Sequence, residues 1–537
     1  MGDDKAVQAL LERIDRLHEI GVALSSERDS ERLLELIVDS ARELTGADGG
    51  TLYLVHEDRT VRFEIVRTHS LGFALGGTSG EAVPFPPLAL ETDGEPNRSM
   101  VVTNCVLNRQ TIRIADAYHA EGFDFSGTRA FDQRTGYRTQ SLLTVPMCDH
   151  AGEVIGVLQL INATRDGQVV AFESTDQRLV ESLASQAAIA LSNKRLIDQQ
   201  RALFEALIRL IAEAIDEKSP HTAAHCRRVP ELTMLLADAA HATEQGALAD
   251  FTLSPNERYA LYIAAWLHDC GKITTPEHVI DKAAKLEGVR DRMEEVANRF
   301  AVIRQQIHGA AECEAVRGEA SGDRARAQRA RAERDRQCAE LDDELDYLRR
   351  VNACEVAIDG AAEARVRAIA ERRWTDAEGQ QRPLLSDDEV ENLCIVRGNL
   401  NAEERRIIEQ HAVTTIHMLE QLPFPRHLRN VPEYAACHHE RVDGRGYPQG
   451  LTREQMSIPA RAMAIADVFE ALSAADRPYK PAKPLSQCLG IMRAMRDEGH
   501  IDPDLFEVFV REGVFERYAE AHLDSAQIEP LDREQFL

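Results

Sequence analysis

Residues His438 to Pro448 read His-His-Glu-Arg-Val-Asp-Gly-Arg-Gly-Tyr-Pro. Two adjacent imidazoles precede two acids and a Gly-x-Gly-Tyr-Pro turn. Neutral imidazole is the commonest metal ligand, and nearby carboxylates can ligate or orient it. Gly444 and Gly446 suit a backbone that turns sharply or lets a ligand come close. Read alone, the string also fits a helix C-terminus closed by a polar cap and a proline. A metal reading therefore needs further ligand-type residues, brought from elsewhere in the chain.

The 537 residues exceed what one core serves, so two or three domains are expected. Apolar content of 44% and aromatic content of 5% fit a soluble, helix-rich chain. The net charge of -27 argues against nucleic-acid or anionic-membrane binding, but leaves room for a local basic pocket. No run of about 18 apolar residues is present, so no membrane insertion is expected. The charged start Met-Gly-Asp-Asp-Lys lacks an apolar signal core. Ten cysteines without a CxxC pair read as reduced thiols in a cytoplasm.

Val7 to Leu24 and Leu33 to Leu44 repeat apolar groups at helical spacing, with Asp29 or Ser30 available as a cap. Gly46 to Gly50 read as a break, Thr51 to Val55 as a strand and Val61 to Val66 as its hairpin partner. His69 to Asn97 is rich in Gly and Pro and reads as a loop. Strands are expected again at Ser141–Met147 and Glu153–Asn162, around the turn Asp149–Gly152. Helix, strands, loop, strands and helix make an α+β domain. Thr135 to Leu143, Val145-Pro146-Met147 and Gly156 to Asn162 resemble a GAF sensory domain over about residues 20–195. Asn162, Phe172 and Asp176 match part of the pattern of cyclic-nucleotide-binding GAF domains, which makes them candidate contacts for an unknown small ligand. Ala163 and Gln177 stand where that pattern has Lys and Glu, so its Lys–Asp pair cannot form. The same residues also read as holding the fold alone.

From Asp176 a helical pattern runs to Ile215. Leu196, Leu203, Leu207, Leu210 and Ala214 make an a/d seam, read as a parallel homodimer connector between sensor and output. Pro220 suits the first position of a new helix. His221 and His225 share one helix face at i, i+4. His268-Asp269 ends an apolar run, with Gly271-Lys272 after it. His411 lies on a helix-like run from Glu403 to Leu419. Asp467 sits in an apolar helix, where an acid needs a partner.

These pieces, with Asp476-Arg477-Pro478-Tyr479-Lys480, closely resemble the HD-GYP family of HD phosphohydrolases over about residues 200–286 and 400–515. The resemblance implies an all-α domain and hydrolysis of cyclic di-GMP, through linear pGpG to GMP. A phosphodiester repels water as a nucleophile. Two metals about 3.5–4 Å apart can bind its oxygens and deprotonate a bridging water. The resemblance makes Asp269 the bridging ligand, with His225, His268, His411, His438, His439 and Asp467 filling the remaining positions. Lys272 falls where the family has a Lys near the scissile phosphate. Gly446, Tyr447, Arg477 and Lys480 match substrate-contacting positions. Where some relatives carry Glu and bind a third ion, this chain has His221, which could be a third-site ligand, a substrate contact or an exposed first-turn residue. Mixed His and carboxylate ligands suit Fe or Mn, with Zn and Ni left open.

More than a hundred residues after Lys285-Leu286 separate the two matched parts. Arg324 to Arg336 alternates Arg and Ala, and Leu341, Leu345 and Leu348 follow a heptad, which reads as an antiparallel helical hairpin. Leu384 to Glu389 reads as a capped helix start. The expected organisation is a GAF domain over 1–195, a helical connector over 196–219, HD-GYP parts over 220–286 and 403–537, and a helical insertion over 287–402. The expected function is a cytoplasmic, sensor-coupled cyclic di-GMP phosphodiesterase. Its rivals are an HD-type hydrolase of another nucleotide, such as cyclic GMP-AMP, and a catalytically silent signalling scaffold.

Overall fold

Asp29 and Gly46 bracket the first complete helix, Ser30–Thr45. The Asp29 side chain accepts from the Arg32 N–H, and Gly46 closes the helix in the left-handed region at φ 64°. The structure, a computed structural model, describes residues 15–92, 94–218, 225–475 and 482–537. It divides into two units, Met1–Leu203 and Phe204–Leu537.

The first unit is built on an antiparallel sheet. Its strands are β1 (Ala47–Val55), β2 (Thr60–Thr68), β3 (Phe73–Leu75), β4 (Leu88–Ala89), β7 (Ile112–Ile114), β8 (Leu142–Cys148), β9 (Val154–Arg165) and β10 (Gln168–Val170); β5 (Glu91–Thr92) and β6 (Glu95–Pro96) pair separately. The order is β3-β2-β1-β9-β8-β7, with β10 on β9 and β4 on β2. Two expectations need correction. Only Gly46 breaks the chain, because Ala47 to Gly50 already belong to β1. A Cβ on Gly50 would meet Val38 Cγ1 at 2.8 Å, so glycine lets the strand lie on the helix Ser30–Thr45. The stretch from His69 to Asn97 holds β3 to β6, each only two or three residues long.

Alternation along the strands sorts two layers. Leu52, Ile65, Leu143, Leu158 and Leu160 pack with Ile37, Val38, Val180 and Leu183 of the flanking helices. Tyr53, Val61 and Val157 face the other side, with Val102 and Cys105 of the helix Val101–Asn108. On that side a cavity of about 310 Å³ is lined by Tyr53, Phe63, Phe85, Phe131, Tyr137 and Gln159, among others.

Asn162, Phe172 and Asp176 do not line this cavity. Their polar and apolar capacity is spent on the fold, which favours the reading that they hold the domain. Asn162 Oδ1 accepts from the backbone N–H groups of Gln140 (2.7 Å) and Ser141 (3.2 Å), and its Nδ2 donates to the Arg138 carbonyl (2.8 Å) and the Tyr137 hydroxyl (3.0 Å). Phe172 is buried in the helix-side core. Asp176 accepts from the Glu173 N–H and pairs with Arg165 at 2.9 and 3.1 Å. Arg165 thus supplies, two residues late, the cation that Ala163 does not.

The helix Ser174–Lys218 is 45 residues long. Its early turns bury Val180, Leu183 and Ala187 in the first unit's core, and its late turns bury Ile208 and Ile215 in a core of the second. Leu196, Leu203, Leu207, Leu210 and Ala214 are exposed. The second unit is helical except for the hairpin β11 (Arg373–Thr375) and β12 (Gln381–Pro383) among the described residues. One core gathers Leu261, Ala264, Tyr434 and Met463, and another Phe469, Phe509 and Tyr518.

The stretch after Leu286 carries its own core of Phe300, Leu348, Val351 and Leu384. It is a hairpin of two long helices, Met293–Ala320 and Arg324–Asn352. Antiparallel pairs cross it: Arg326–Glu314 and Arg331–Glu319 near the tip, Arg304–Asp342 lower down. Ser386 caps the returning helix Asp387–Leu393 in a capping box with Glu389. Buried Lys285 donates to the carbonyls of Leu393 (3.0 Å) and Ile395 (2.8 Å), and Lys282 pairs with Glu404 at 2.8 Å.

Because Phe172 is core rather than contact, Phe172→Ala should lower the opening free energy of β8 and β9 by about 3–5 kcal/mol. Native-state hydrogen exchange of the full chain reads this. Unchanged exchange would return Phe172 to the list of ligand contacts.

Candidate metal centre

Five helices deliver the imidazoles and carboxylates to one place. His268 and Asp269 follow the helix Pro255–Leu267, which starts in a capping box between Ser254 and Glu257. His411 lies in the helix Ala402–Glu420, boxed by Asn401 and Glu404. His438 and His439 come just after the short helix Val431–Ala436. His225 opens the helix His225–His241, and Asp467 sits on Ile458–Ser473.

The backbone fixes the tautomers. A carbonyl can only accept, so Nδ1–H must donate from His268 to Ala265 (2.8 Å), from His411 to Ile408 (2.5 Å) and from His438 to Ala435 (2.6 Å). Each ring is thereby left with its Nε2 pointing inward. His225 is oriented by a different route: its Nδ1 is bound to the buried Glu470 carboxylate, which turns its Nε2 toward the same space. Glu470 also accepts from Arg228 Nε at 2.6 Å. A carboxylate behind the ring orients a ligating histidine and raises its basicity.

Asp269 joins two groups of these nitrogens. Its Oδ1 is 3.3 Å from His411 Nε2 and 3.7 Å from His438 Nε2. Its Oδ2 is 3.3 Å from His268 Nε2 and 3.5 Å from His225 Nε2. The ligand atoms of Asp269, His411, His438 and His439 lie within 4.8 Å of one another, as do those of His225, His268 and Asp269. Asp467 Oδ1 joins the second group, 3.1 Å from His225 Nε2 and 3.8 Å from His268 Nε2.

The donor set fits a pair of cations. Asp269 Oδ1 and His438 Nε2 are buried without a hydrogen-bond partner among the described residues. Such orphans are costly unless something positive satisfies them. The Nε2 atoms of His225 and His268 face each other at 3.3 Å, and those of His411 and His439 at 3.2 Å. Burial, reinforced by His439 and His268, pushes the His438 imidazole well below its usual range, and burial lowers His439 to about 4. Both rings are therefore neutral donors at pH 7. Burial opposes the charged His225 ring, but Asp269, Asp467 and Glu470 outweigh it and push that ring up. A proton and a divalent ion thus compete for the same lone pair.

Two family models match the chain: one described as GAF domain over residues 29–191, one as HD domain over residues 387–505. The chain carries a GAF domain and an HD domain. Its HD part resembles the HD-GYP phosphodiesterases. A 3'3'-cGAMP-specific phosphodiesterase of Vibrio cholerae is 41% identical over 114 residues, which is 21% of this chain and 26% of that one. A cyclic di-GMP phosphodiesterase of Pseudomonas aeruginosa is 36% identical over 132 residues, 24% of this chain and 31% of that one. The matches thus span about a quarter to a third of each relative's length. A solved GAF domain/HD domain protein from Geobacter sulfurreducens is 19% identical, with a TM-score of 0.24, covering 32% of this chain and 98% of that chain.

In the HD domain the turn after the paired histidines is held from behind. Glu440 is buried, and its carboxylate accepts from the N–H groups of Gln449 (2.7 Å) and Leu451 (2.9 Å). Gly446 passes so close to this strut that a Cβ would lie 2.3 Å from Arg441 N. Tyr447 then stacks on His439, with ring centres 4.8 Å apart. Lys272 Nζ is 2.5 Å from Asp269 Oδ2. Burial disfavours its ammonium, but Asp269 more than compensates, so it stays charged. His221, Arg477 and Lys480 lie outside the described residues.

Two contributors escaped the sequence reading, Glu470 and Thr415. Glu470 is three residues past Asp467, on the same helix face and equally out of place among apolar neighbours, so the signal was present. Thr415, one turn after His411, accepts from the Gly271 N–H (3.0 Å) and donates to the His268 carbonyl (3.1 Å). Nothing in its local sequence marks it.

Glu470→Gln keeps the size of the side chain but removes the charge behind His225. It should weaken divalent-ion binding about 10–100-fold. Chelator competition followed by metal analysis measures this. Unchanged affinity would reduce Glu470 to a partner of Arg228.

Proposed function

We propose that this chain is a metal-dependent phosphodiesterase acting on cyclic di-GMP under control of its GAF domain. The observation that carries the reading is the sharing of Asp269, one oxygen toward each imidazole group. Asp269, His411, His438 and His439 would hold one divalent ion, and Asp269, His225, His268 and Asp467 the other. The donor set suits Fe or Mn. Paired ions of this kind supply Lewis acidity and a nucleophile at neutral pH.

The chain's own residues do the rest. Lys272, charged and part-exposed beside Asp269, can donate a proton to the leaving oxygen or stabilise the charge that develops there. Tyr447, held by the Glu440 strut and stacked on His439, offers a flat wall and a hydroxyl donor for a guanine or ribose. In the GAF domain the aromatic cavity is the sensor site. Asp124 is the only charged side chain among its described lining residues, which suits a neutral ligand. A second substrate, 3'3'-cyclic GMP-AMP, is favoured by the name of the relative at 41% identity.

Metal-loaded protein incubated with each cyclic dinucleotide, with products separated by chromatography, tests both substrates. Cyclic di-GMP is expected to turn over faster. Asp269→Ala should abolish turnover, and Lys272→Ala should lower kcat about 100-fold. Faster turnover of cyclic GMP-AMP would exchange the two readings. Full metal content without turnover of either would leave the scaffold.

The exposed seam of Leu196, Leu203, Leu207 and Leu210 supports a homodimer through the connector helix. Leu203→Glu with Leu210→Glu should yield a monomer by light scattering. A wild-type monomer at micromolar concentration would reject the dimer.

A further inference from the structure

The turn that carries Lys272 is gripped from two sides. On one side, Gly271 presses on the helix Ala402–Glu420 so closely that a Cβ would lie 2.1 Å from the His411 carbonyl. Thr415 ties that contact through the Gly271 N–H and the His268 carbonyl. On the other side stands Lys218, in the last turn of the long helix Ser174–Lys218. Its Nζ is 2.5 Å from the Ile273 carbonyl, 2.7 Å from that of Thr275 and 3.5 Å from that of Lys272 itself. An ammonium has three donors and no acceptor, so three carbonyls of one turn match its capacity.

The same helix end also reaches the His225 side. Asp216, two residues earlier and buried, lies against Cys226, the neighbour of His225. The helix that begins inside the GAF domain therefore ends on the backbone of the catalytic turn. The metal ligands do not depend on this grip, because His268 and His411 are set by their own helices and by Thr415. What Lys218 does govern is the path of the chain from Lys272 to Thr275, on which the Lys272 side chain is mounted.

We infer that Lys218 is a positioning residue: from the end of the sensor-derived helix it sets the catalytic turn, and so the place of Lys272 relative to the reacting phosphate. A shift or rotation of that helix then acts on catalysis directly, with no change in metal occupancy. The inference rests on the proposed hydrolase for its catalytic consequence, but not for its structural one.

The test compares full-length wild type, Lys218→Met and Lys218→Arg. Three quantities are measured: metal content, kcat and KM on cyclic di-GMP, and hydrogen exchange of a peptide spanning residues 270–275. Lys218→Met should keep its metal and exchange faster across that peptide. A misplacement of about 1 Å can cost about 100-fold, so kcat should fall about 10–100-fold. KM should stay within about twofold. Lys218→Arg should recover most of kcat. Unchanged kcat, unchanged exchange, or loss of metal in step with activity would overturn the inference. If wild type turns over neither cyclic dinucleotide, the hydrolase reading fails. Exchange and metal content still decide Lys218 in that case: faster exchange with full metal supports the grip, and unchanged exchange removes it.

Discussion

A carboxylate buried among imidazoles is unfavourable unless positive charge reaches it. Asp269 is 2% exposed, and much of the second unit's helical framework serves to place charge around it. Burial alone would raise its carboxyl, but Lys272, His268 and His225 together hold it well below the usual range. None of these groups is near Asp269 in the chain except His268 and Lys272. His225, His411, the His438–His439 pair and Asp467 arrive on or beside separate helices that share two cores. Removing any one helix would leave a buried charge without its partners. The site and the packing of the unit are therefore one energetic problem.

Much of this was legible in the sequence because metal chemistry demands residue types that a core otherwise avoids. Asp467 in Ala-Ile-Ala-Asp-Val-Phe, and two imidazoles before a Gly-Tyr-Pro turn, stand out against apolar surroundings. The struts did not. Glu440 looks like another ligand candidate beside His439, and only its bonds to Gln449 and Leu451 show that it shapes the turn. Thr415 is one helix residue among many. In the first unit the same limit applies. Gly49 and Gly50 carry the composition of a break, yet they form a strand, and at Gly50 the helix beside it needs the space of a missing Cβ. Strands of two or three residues between His69 and Asn97 are too short for periodicity to register.

Family pattern and physical role also part company in the first unit. Asn162, Phe172 and Asp176 sit where a ligand set is expected from resemblance, but each is fully employed in the fold. Arg165 completes an ion pair with Asp176 from a different position. A pairing that a pattern places at one residue can be rebuilt from a neighbour with the same geometric outcome. The departure at Ala163 therefore says little about structure.

The balance of imidazole and carboxylate bears on substrate as well as on metal. The chain as a whole carries a net charge of -27, which repels an anionic ligand at long range. Locally the sign can reverse. Of the groups aimed at the paired ions, only Asp269 and Asp467 are anionic; His438 and His439 are neutral, and Glu470 is offset by Arg228. Two divalent ions against two carboxylates would leave an excess of positive charge, and Lys272 would add to it. At an ionic strength of about 0.15 M the distant acids are screened beyond roughly 8 Å, whereas the buried excess is not. A centre built from carboxylates alone would cancel its own cations. Building it mainly from imidazoles would let a strongly acidic protein present a cationic floor to an anionic ligand.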